Sequence, residues 1–367
     1  MQNPYLNRSF YRLDEFSDIY PFSINETYSA STSNPLALTV SNPYPEARRR
    51  VSGITSTSGQ NPDSPSQNLQ SWNLTTERDL GRGAVLEVAY AGSKGTHLPR
   101  RYDINQPFRE LSLRQPDGSF PRPFNSFSTI NYISAESNST YNSASVNFRQ
   151  RFSKTLFARA AYVYSKSIDE TSQTGGSPKG GFTGAQDSRN LSQERGRSDF
   201  DLGHTFASSF IWSPQLGRTI LARGWQLSGT GRAYTGQPFT PKVANFSLDL
   251  GDAVRPDRQA KGVVKNPNAD SWFDKSAFPT VPRGTFRFGN SGRNILDGPG
   301  ACYLDLGLSR RFKLSERSTL QFRWEMFNVP NRTNLNLPKN SVDVRNGGTI
   351  MKARNSRTHQ FALRLEF

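Results

Sequence analysis

Three histidines, His97, His204 and His359, are the side chains in this sequence best suited to acid–base chemistry near neutral pH. None of them has a carboxylate or a nucleophile at the spacing of a catalytic motif. The run from Gly289 to Arg293 (GNSGR) lacks the second glycine of a nucleophile elbow, because Arg293 stands at that position. We therefore predict that the protein is not an enzyme and has no catalytic residue. An enzyme that uses His204 or His97 is kept as an alternative.

The candidate metal ligands are three aspartates, Asp249, Asp252 and Asp257, and the single cysteine, Cys302. The aspartates lack the spacing and the terminal glutamate of an EF-hand loop, so we interpret them as solvated loop acids. One cysteine can form neither a disulfide within the chain nor a cysteine-based zinc site. The sequence predicts no metal site and no cofactor.

The formal net charge of +16 raises the question of a nucleic-acid partner. The basic residues are scattered, however, and only Arg48-Arg49-Arg50 and pairs such as Arg310-Arg311 cluster. Zinc-ligand spacing, an RNA-binding aromatic motif and a helix-turn-helix pattern are all missing, so we expect no nucleic-acid partner. A general positive charge suits contact with an anionic surface, including lipid head groups. A soluble or surface-attached β protein that binds polyanions remains an alternative.

Alternation of apolar and polar residues predicts β-strands as the elements that position these side chains. Between Cys302 and Phe367 the pattern occurs three times, and each strand would have one apolar face. The apolar positions are Leu304, Leu306, Leu308, Leu320, Phe322, Trp324, Phe361, Leu363, Leu365 and Phe367. The charged positions in the last two strands are Arg323, Glu325, Arg364 and Glu366. Alternation that continues to a terminal aromatic favours the closing strand of a transmembrane β-barrel, although a half-buried strand of a soluble sandwich shows the same pattern.

The alternation also occurs in six segments farther upstream, which makes about nine to ten strands in total. They are centred on residues 72–76, 84–90, 144–148, 158–164, 206–212 and 225–231. Only 34% of residues are hydrophobic and the mean hydropathy is −0.68, with no apolar run of the roughly 20 residues that a spanning helix needs. This composition excludes a helical membrane protein. It is compatible with a barrel, in which only alternate residues face lipid.

Connection lengths predict the orientation of this sheet. Short turns at 78–82, 152–154, 213–223 and 313–316 alternate with long segments at 92–140, 166–202, 236–300 and 328–357. Outer-membrane barrels have short periplasmic turns and long external loops, whereas a soluble sandwich has no reason to place all long connections at one end. We therefore predict an all-β fold, an antiparallel transmembrane β-barrel segment, in residues 68–367. Its last strand would run inward and end in the periplasm.

Residues 1–67 are predicted to be a loop-rich N-terminal segment with at most one strand, at Ser9 to Tyr20. Residues 58–66 are interpreted as loop because of their Ser, Pro and Asn content. Whether this segment is a disordered linker or a long ordered loop is left open.

Several short runs resemble the C-terminal part of TonB-dependent outer-membrane transporters with an Oar-like barrel. They are QSWNL at 70–74, VAYAGSKGTH at 88–97, YSKSID at 164–169, RSDFD at 197–201, GWQLSG at 224–229, TGQPFT at 235–240, GNSGRN at 289–294, GPG at 298–300 and FRWEMFN at 322–328. Each run is short, and their order and spacing over residues 68–367 carry the resemblance.

The resemblance implies a barrel of about 22 strands with a plugged lumen. The plug, the motif that contacts the energy-transducing partner, the signal peptide and the earlier strands do not occur in this sequence, so we expect the chain to be a C-terminal fragment. It implies a transporter or receptor in the cell outer membrane, with an unidentified substrate. The implied partners are outer-membrane lipid, the inner-membrane energy-transducing complex (through the missing N-terminal part) and the barrel-assembly machinery, which would recognise the terminal aromatic.

A barrel assigns a direction to each face of the predicted strands. The lipid-facing residues would be Leu304, Leu306, Leu308, Leu320, Phe322 and Trp324, and the terminal strand with Phe361, Leu363, Leu365 and Phe367 would close the barrel. Arg323, Glu325, Arg364 and Glu366 would face the lumen and pair with one another or with a plug. Exposed charges on a soluble sheet are the competing interpretation.

Overall fold

We describe the fold from a computed structural model in which residues 55–172, 184–215, 223–244, 254–282 and 284–367 are described. The strand predicted at Ser9 to Tyr20 and the acids Asp249 and Asp252 lie outside these residues. The described residues form thirteen strands. They are β1 Thr55–Gln60, β2 Asn68–Gly81, β3 Ala84–Asp103, β4 Phe127–Arg151, β5 Leu156–Asp169, β6 Gly196–Arg197, β7 His204–Trp212, β8 Trp225–Tyr234, β9 Pro238–Phe239, β10 Leu296–Asp297, β11 Ala301–Lys313, β12 Thr319–Phe327 and β13 Thr358–Glu366.

Helical structure in the described residues is limited to short 3-10 turns at Leu111–Leu113, Leu191–Glu194 and Lys275–Ala277. Within those residues, no helix has the length and apolar character needed to cross a membrane.

Nine of the strands form one antiparallel meander. Their spatial order is β2-β3-β4-β5-β7-β8-β11-β12-β13, so neighbours along the chain are neighbours in the sheet. The strand β1 pairs in parallel with β4, β6 pairs with β5, and β9 and β10 form a separate two-stranded sheet. The prediction of an all-β, antiparallel fold with about nine long strands is confirmed. The described strands form an open sheet with β2 and β13 at its edges.

Two loop predictions were wrong. The segment 92–140 is strand as far as Asp103 and again from Phe127, and β3 and β4 pair along most of this length. The register shifts between Gly95 and Leu98 and again between Leu98 and Pro99, so the alternation of side chains changes phase there and no longer reads as a strand. Residues 58–60, interpreted as loop, belong to β1.

The connections alternate in length as the sequence predicts. The turns after β2, β4 and β11 are short, and all of them lie at the same end of the meander. Gly81, Arg82 and Gly83 have positive φ in the first turn. The four long connections, 104–126, 170–203, 235–300 and 328–357, lie at the other end. Their described residues form a folded unit that we call the cap.

The cap has its own apolar core and its own hydrogen bonds between connections. Its core cluster consists of Phe239, Phe273, Ala277, Phe278 and Leu296. Gln106 Nε2 donates to the Gln186 carbonyl at 3.0 Å, Gln186 Nε2 donates to the Gly289 carbonyl at 2.9 Å, and Asn340 Nδ2 donates to the Thr240 carbonyl at 2.8 Å. These bonds join all four long connections, so the cap is an ordered structure held by contacts distant in sequence.

Candidate functional site

The strand register places the apolar series of all nine meander strands on one side of the sheet, which we call the apolar face. Residues directly opposite each other in an antiparallel pair point to the same side. One continuous cross-strand row is Leu308, Trp324 and Phe361, and the next is Phe322 with Leu363. The same register aligns Leu74 and Tyr90 with Ala144, Tyr164 and His204, at the other edge.

The apolar face is open to its surroundings over its whole width. Large side chains at both edges are exposed, with Leu74 and Leu363 each at 71% of their full accessible area. Exposed apolar residues also occur on the central strands, among them Val146, Tyr162, Phe206, Trp212 and Leu304. A soluble monomer rarely exposes an apolar patch larger than a few hundred Å². This surface therefore has to contact an apolar environment or a partner.

Aromatic rings on this face pack against glycines of the neighbouring strand. A Cβ atom added at Gly229 would lie 2.2 Å from Phe210 Cε1 and 2.9 Å from Leu306 Cδ2. A Cβ atom added at Gly92 would lie 2.4 Å from Trp72 Nε1. Because glycine has no Cβ atom, the rings can pack directly on the backbone of the neighbouring strand. The position of these rings on the apolar face therefore depends on the two glycines.

The residues predicted for the closing strand lie on this face, with one correction. Phe361, Leu363 and Leu365 pair with Trp324, Phe322 and Leu320 of β12. The rings of Trp324 and Phe361 are stacked, with centroids 5.6 Å apart. Phe367 lies one residue beyond the end of β13 and is 96% exposed, so it adds no strand pairing in the described residues.

A buried cation on β11 interrupts the apolar face and was not predicted. Arg310 continues the series of Leu304, Leu306 and Leu308, and it faces Trp225 and Phe322 across the strands. Its side chain is buried to 4% exposure, with the guanidinium 4.1 Å from the Phe312 ring centroid and 5.3 Å from that of Trp225. In the sequence, Arg310 stands where the next leucine of the series would be, and this break could have indicated a cation on the apolar face.

The opposite side of the meander, the polar face, carries the four charges predicted to face a lumen. Arg323 forms an ion pair with Glu325, and Arg364 Nε lies 3.1 Å from Glu366 Oε1. On β2 and β4, Arg149 Nη2 lies 2.7 Å from Glu77 Oε1. These pairs connect residues of the same face, and each is at least partly exposed to solvent.

One buried ion pair joins two connections of the cap, and another joins the cap to the end of the sheet. Arg255 Nη1 lies 2.8 Å from Glu194 Oε2, and the two side chains are only 3% and 5% exposed. The other oxygen of Glu194 accepts a hydrogen bond from the Gln186 amide at 2.9 Å. Arg293 forms an ion pair with Asp169 at the end of β5 and donates from Nε to the Glu194 carbonyl at 2.7 Å. The sequence pattern around Arg293 excludes a nucleophile elbow but does not indicate this ion pair.

The described residues of the cap line two cavities that are relevant to binding. The first, of about 400 Å³, lies inside the cap and is lined by Arg100, Arg101, Lys242, Arg255 and Arg293 together with Glu170, Glu194 and Asp199. Arg100 is 3% exposed and donates from Nη2 to the Glu170 carbonyl at 2.8 Å. The second, of about 1080 Å³, lies where the apolar face meets the cap, and we call it the rim groove.

The three histidines and Asp257 lie at separate places in the described residues. His204 Nδ1 lies 2.6 Å from Tyr162 Oη, and His359 Nδ1 lies 3.3 Å from Trp324 Nε1. His97 lies within β3, at the register shift, with φ of 55°. Asp257 pairs with Arg287 at 2.6 Å, and these hydrogen bonds lower the pKa of its carboxyl group. Among the described residues, no group of three or more His, Cys, Asp or Glu side chains could hold a metal ion.

Comparisons with known proteins give one family and one fold. The family model described as "Outer membrane beta barrel domain" matches residues 2–360. No curated protein sequence matches the chain. The crystal structure of the outer membrane transporter YddB from Escherichia coli is similar, with a TM-score of 0.50 and 9% sequence identity. That similarity covers 85% of this chain and 34% of the YddB chain, so the chain spans about a third of the transporter's length. At this identity the similarity shows the fold alone.

Proposed function

The chain belongs to the outer membrane beta barrel domain family and is located in the outer membrane, and from this premise we propose that it forms part of the barrel of a TonB-dependent transporter or receptor. The observation that carries the proposal is the continuous apolar face of the nine meander strands. The similarity of the fold to an outer membrane transporter supports it.

Lipid explains the apolar face better than a soluble environment does. In a soluble sandwich, a second layer has to cover such a face, and the exposure of Leu74, Val146, Phe206 and Leu363 shows no such layer in the described residues. In a barrel the same residues contact acyl chains, and alternate residues face the lumen. We therefore propose lipid contact for Leu304, Leu306, Leu308, Leu320, Phe322 and Trp324. We propose a lumen position for Arg323, Glu325, Arg364 and Glu366.

The orientation follows from the two ends of the meander. We propose that the short turns face the periplasm and that the cap faces outward, because long, structured connections are typical of the external side. The cap would then be the first part to meet a substrate, which fits its cavity of about 400 Å³ with five cationic and three acidic lining residues. The polyanion-binding alternative relies on the net charge alone.

The remaining partners follow from the resemblance to TonB-dependent transporters. We propose that the inner-membrane energy-transducing complex acts through a part of the transporter outside this chain, and that the barrel-assembly machinery recognises the C-terminal strand. We expect no catalysis and no nucleic-acid partner.

Energy dependence of uptake tests the proposal. Cells with and without the gene are grown in a complex medium, and the compounds that only the gene-positive cells remove are identified. We expect that a protonophore, which removes the inner-membrane proton gradient, abolishes this removal. Removal that continues with the protonophore would instead indicate a passive channel. If the two strains removed the same compounds, the transport proposal would be wrong.

A further inference from the structure

We propose that the rim groove binds the phosphate-bearing head group of an anionic lipid in the outer membrane. The groove has a volume of about 1080 Å³ and lies at the boundary between the apolar face and the cap. The proposal depends on the outer-membrane location of the chain and not on transport.

The floor of the groove is a continuation of the apolar face. Tyr162, Tyr164, His204 and Phe206 line it, and Tyr162 is paired with Phe206 across β5 and β7. The Tyr164 and His204 rings lie 5.2 Å apart between centroids, and Tyr162 Oη lies 2.6 Å from His204 Nδ1. Aromatic side chains with one apolar and one polar end are typical of the membrane interface, where head groups begin.

The groove also has a polar side, which comes from the cap. Trp272 is half-buried there, and its Nε1 donates to the Asp297 carbonyl at 2.8 Å. Asp297 and Arg197 neutralise each other at 2.6 Å. A lipid in this position would therefore have its acyl chains along the apolar face and its head group below the cap.

Two cations in the groove are available for an anionic group. Lys166 follows Tyr164 on the same face of β5, and Arg332 follows β12, and both line the groove and are exposed. Among the described residues, neither forms an ion pair with a carboxylate. Lys and Arg side chains near the interface attract anionic lipids. Three cations (Lys166, Arg197 and Arg332) and two carboxylates (Asp201 and Asp297) line the groove, which leaves an excess of one positive charge for an anion. Continuity with the apolar face favours a lipid over a soluble anion.

Retention of defined lipids tests this assignment. The full chain is folded in neutral detergent micelles that contain either phosphatidylglycerol or phosphatidylcholine with the same acyl chains. Native mass spectrometry then counts the lipids that stay bound. We compare the wild type with the double variant Lys166→Ala/Arg332→Ala. A control double variant, Lys261→Ala/Lys265→Ala, removes the same charge from exposed cap positions outside the groove.

The expected result is one retained phosphatidylglycerol in the wild type and in the control variant, and roughly thirtyfold weaker retention in Lys166→Ala/Arg332→Ala. Inorganic phosphate should not displace the lipid, because the acyl chains contribute to binding. Equal retention of both lipids by the wild type, or equal losses in the two double variants, would overturn the proposal. Thermal unfolding of each variant, followed by circular dichroism, shows whether a loss of binding comes from misfolding.

Discussion

The ring of Phe210 on β7 occupies the space that a side chain at Gly229 on β8 would need, since a Cβ atom there would lie 2.2 Å from Phe210 Cε1. We expect Gly229→Ala to displace this ring from the apolar face and to lower the free energy of unfolding by about 1–3 kcal/mol, as overpacking does. Urea unfolding of the chain in lipid vesicles measures the change.

Gly203→Ala is the matched control for this substitution. A Cβ atom at Gly203 has Thr235 Oγ1 as its nearest neighbour, at 3.8 Å, which is an ordinary contact. The control should therefore be nearly neutral. Equal destabilisation by both substitutions would show that the ring does not depend on Gly229.

The assignment of the two faces predicts different costs for neighbouring residues of β12. Phe322→Arg places a charge on the apolar face between Leu363 and Arg310, and it should cost about 2–4 kcal/mol on folding into a bilayer. Arg323→Ala removes a charge from the polar face, where its ion pair with Glu325 is exposed, and should cost about 0–1 kcal/mol. Folding yields in vesicles compare the two variants, and similar yields would contradict the facing.

The buried pair of Arg255 and Glu194 predicts that the cap can be loosened separately from the sheet. Arg255→Ala leaves the Glu194 carboxylate at 5% exposure without its cation, which costs about 3–5 kcal/mol in typical proteins. Limited proteolysis should then cut the cap at lower protease concentrations. Arg149→Ala, which breaks an exposed pair with Glu77, is the control and should leave the cap resistant. Unchanged resistance in Arg255→Ala would mean that this pair does not hold the cap.

The sheet could be predicted from the sequence because each strand on its own shows the alternation of apolar and polar residues. Leu320, Phe322 and Trp324 are recognisable without knowing their neighbours, and the register confirms that they share a face with Leu363. The extension of β3 beyond Gly95 could not be recognised, because the register shift breaks the two-residue period. A local sequence pattern therefore cannot identify a strand where a register shift changes the alternation of side chains.

The cap could not be predicted for a different reason. Arg255 and Glu194 are 61 residues apart, and Arg293 and Asp169 are 124 residues apart. Such pairs have no periodic signature, since each depends on how several loops pack together. The sequence indicated only that the long connections lie at one end of the sheet.

The proposed orientation predicts which positions can be labelled from outside the cell. In a Cys302→Ser background, Lys261→Cys provides a thiol in the cap and Lys154→Cys provides one in the turn between β4 and β5; both positions are exposed. A membrane-impermeant maleimide added to intact cells should label only position 261. Position 154 should react after the outer membrane is opened. The reverse pattern would invert the topology.

Deletion of Phe367 can show whether this residue is needed for assembly into the membrane or for stability of the folded sheet. Phe367 is 96% exposed and lies beyond Glu366, the final paired residue of β13, so its deletion removes little native contact. We expect the deletion to change stability by a few tenths of a kcal/mol, as surface changes usually do. Insertion of the protein into the outer membrane should nevertheless fall sharply, because the assembly machinery is proposed to recognise the terminal aromatic.

Phe152→Ala is the control, since Phe152 is 56% exposed and lies in a short turn at the same end of the sheet. It removes a comparable exposed ring that is not terminal, so outer-membrane levels should stay normal. Fractionation of cells that express each variant at equal rates gives the amount inserted, and urea unfolding in vesicles gives the stability. Undiminished outer-membrane protein without Phe367 would show that the terminal aromatic has no role in recognition. If the deletion lowered stability as much as it lowered insertion, its effect would come from folding and not from recognition.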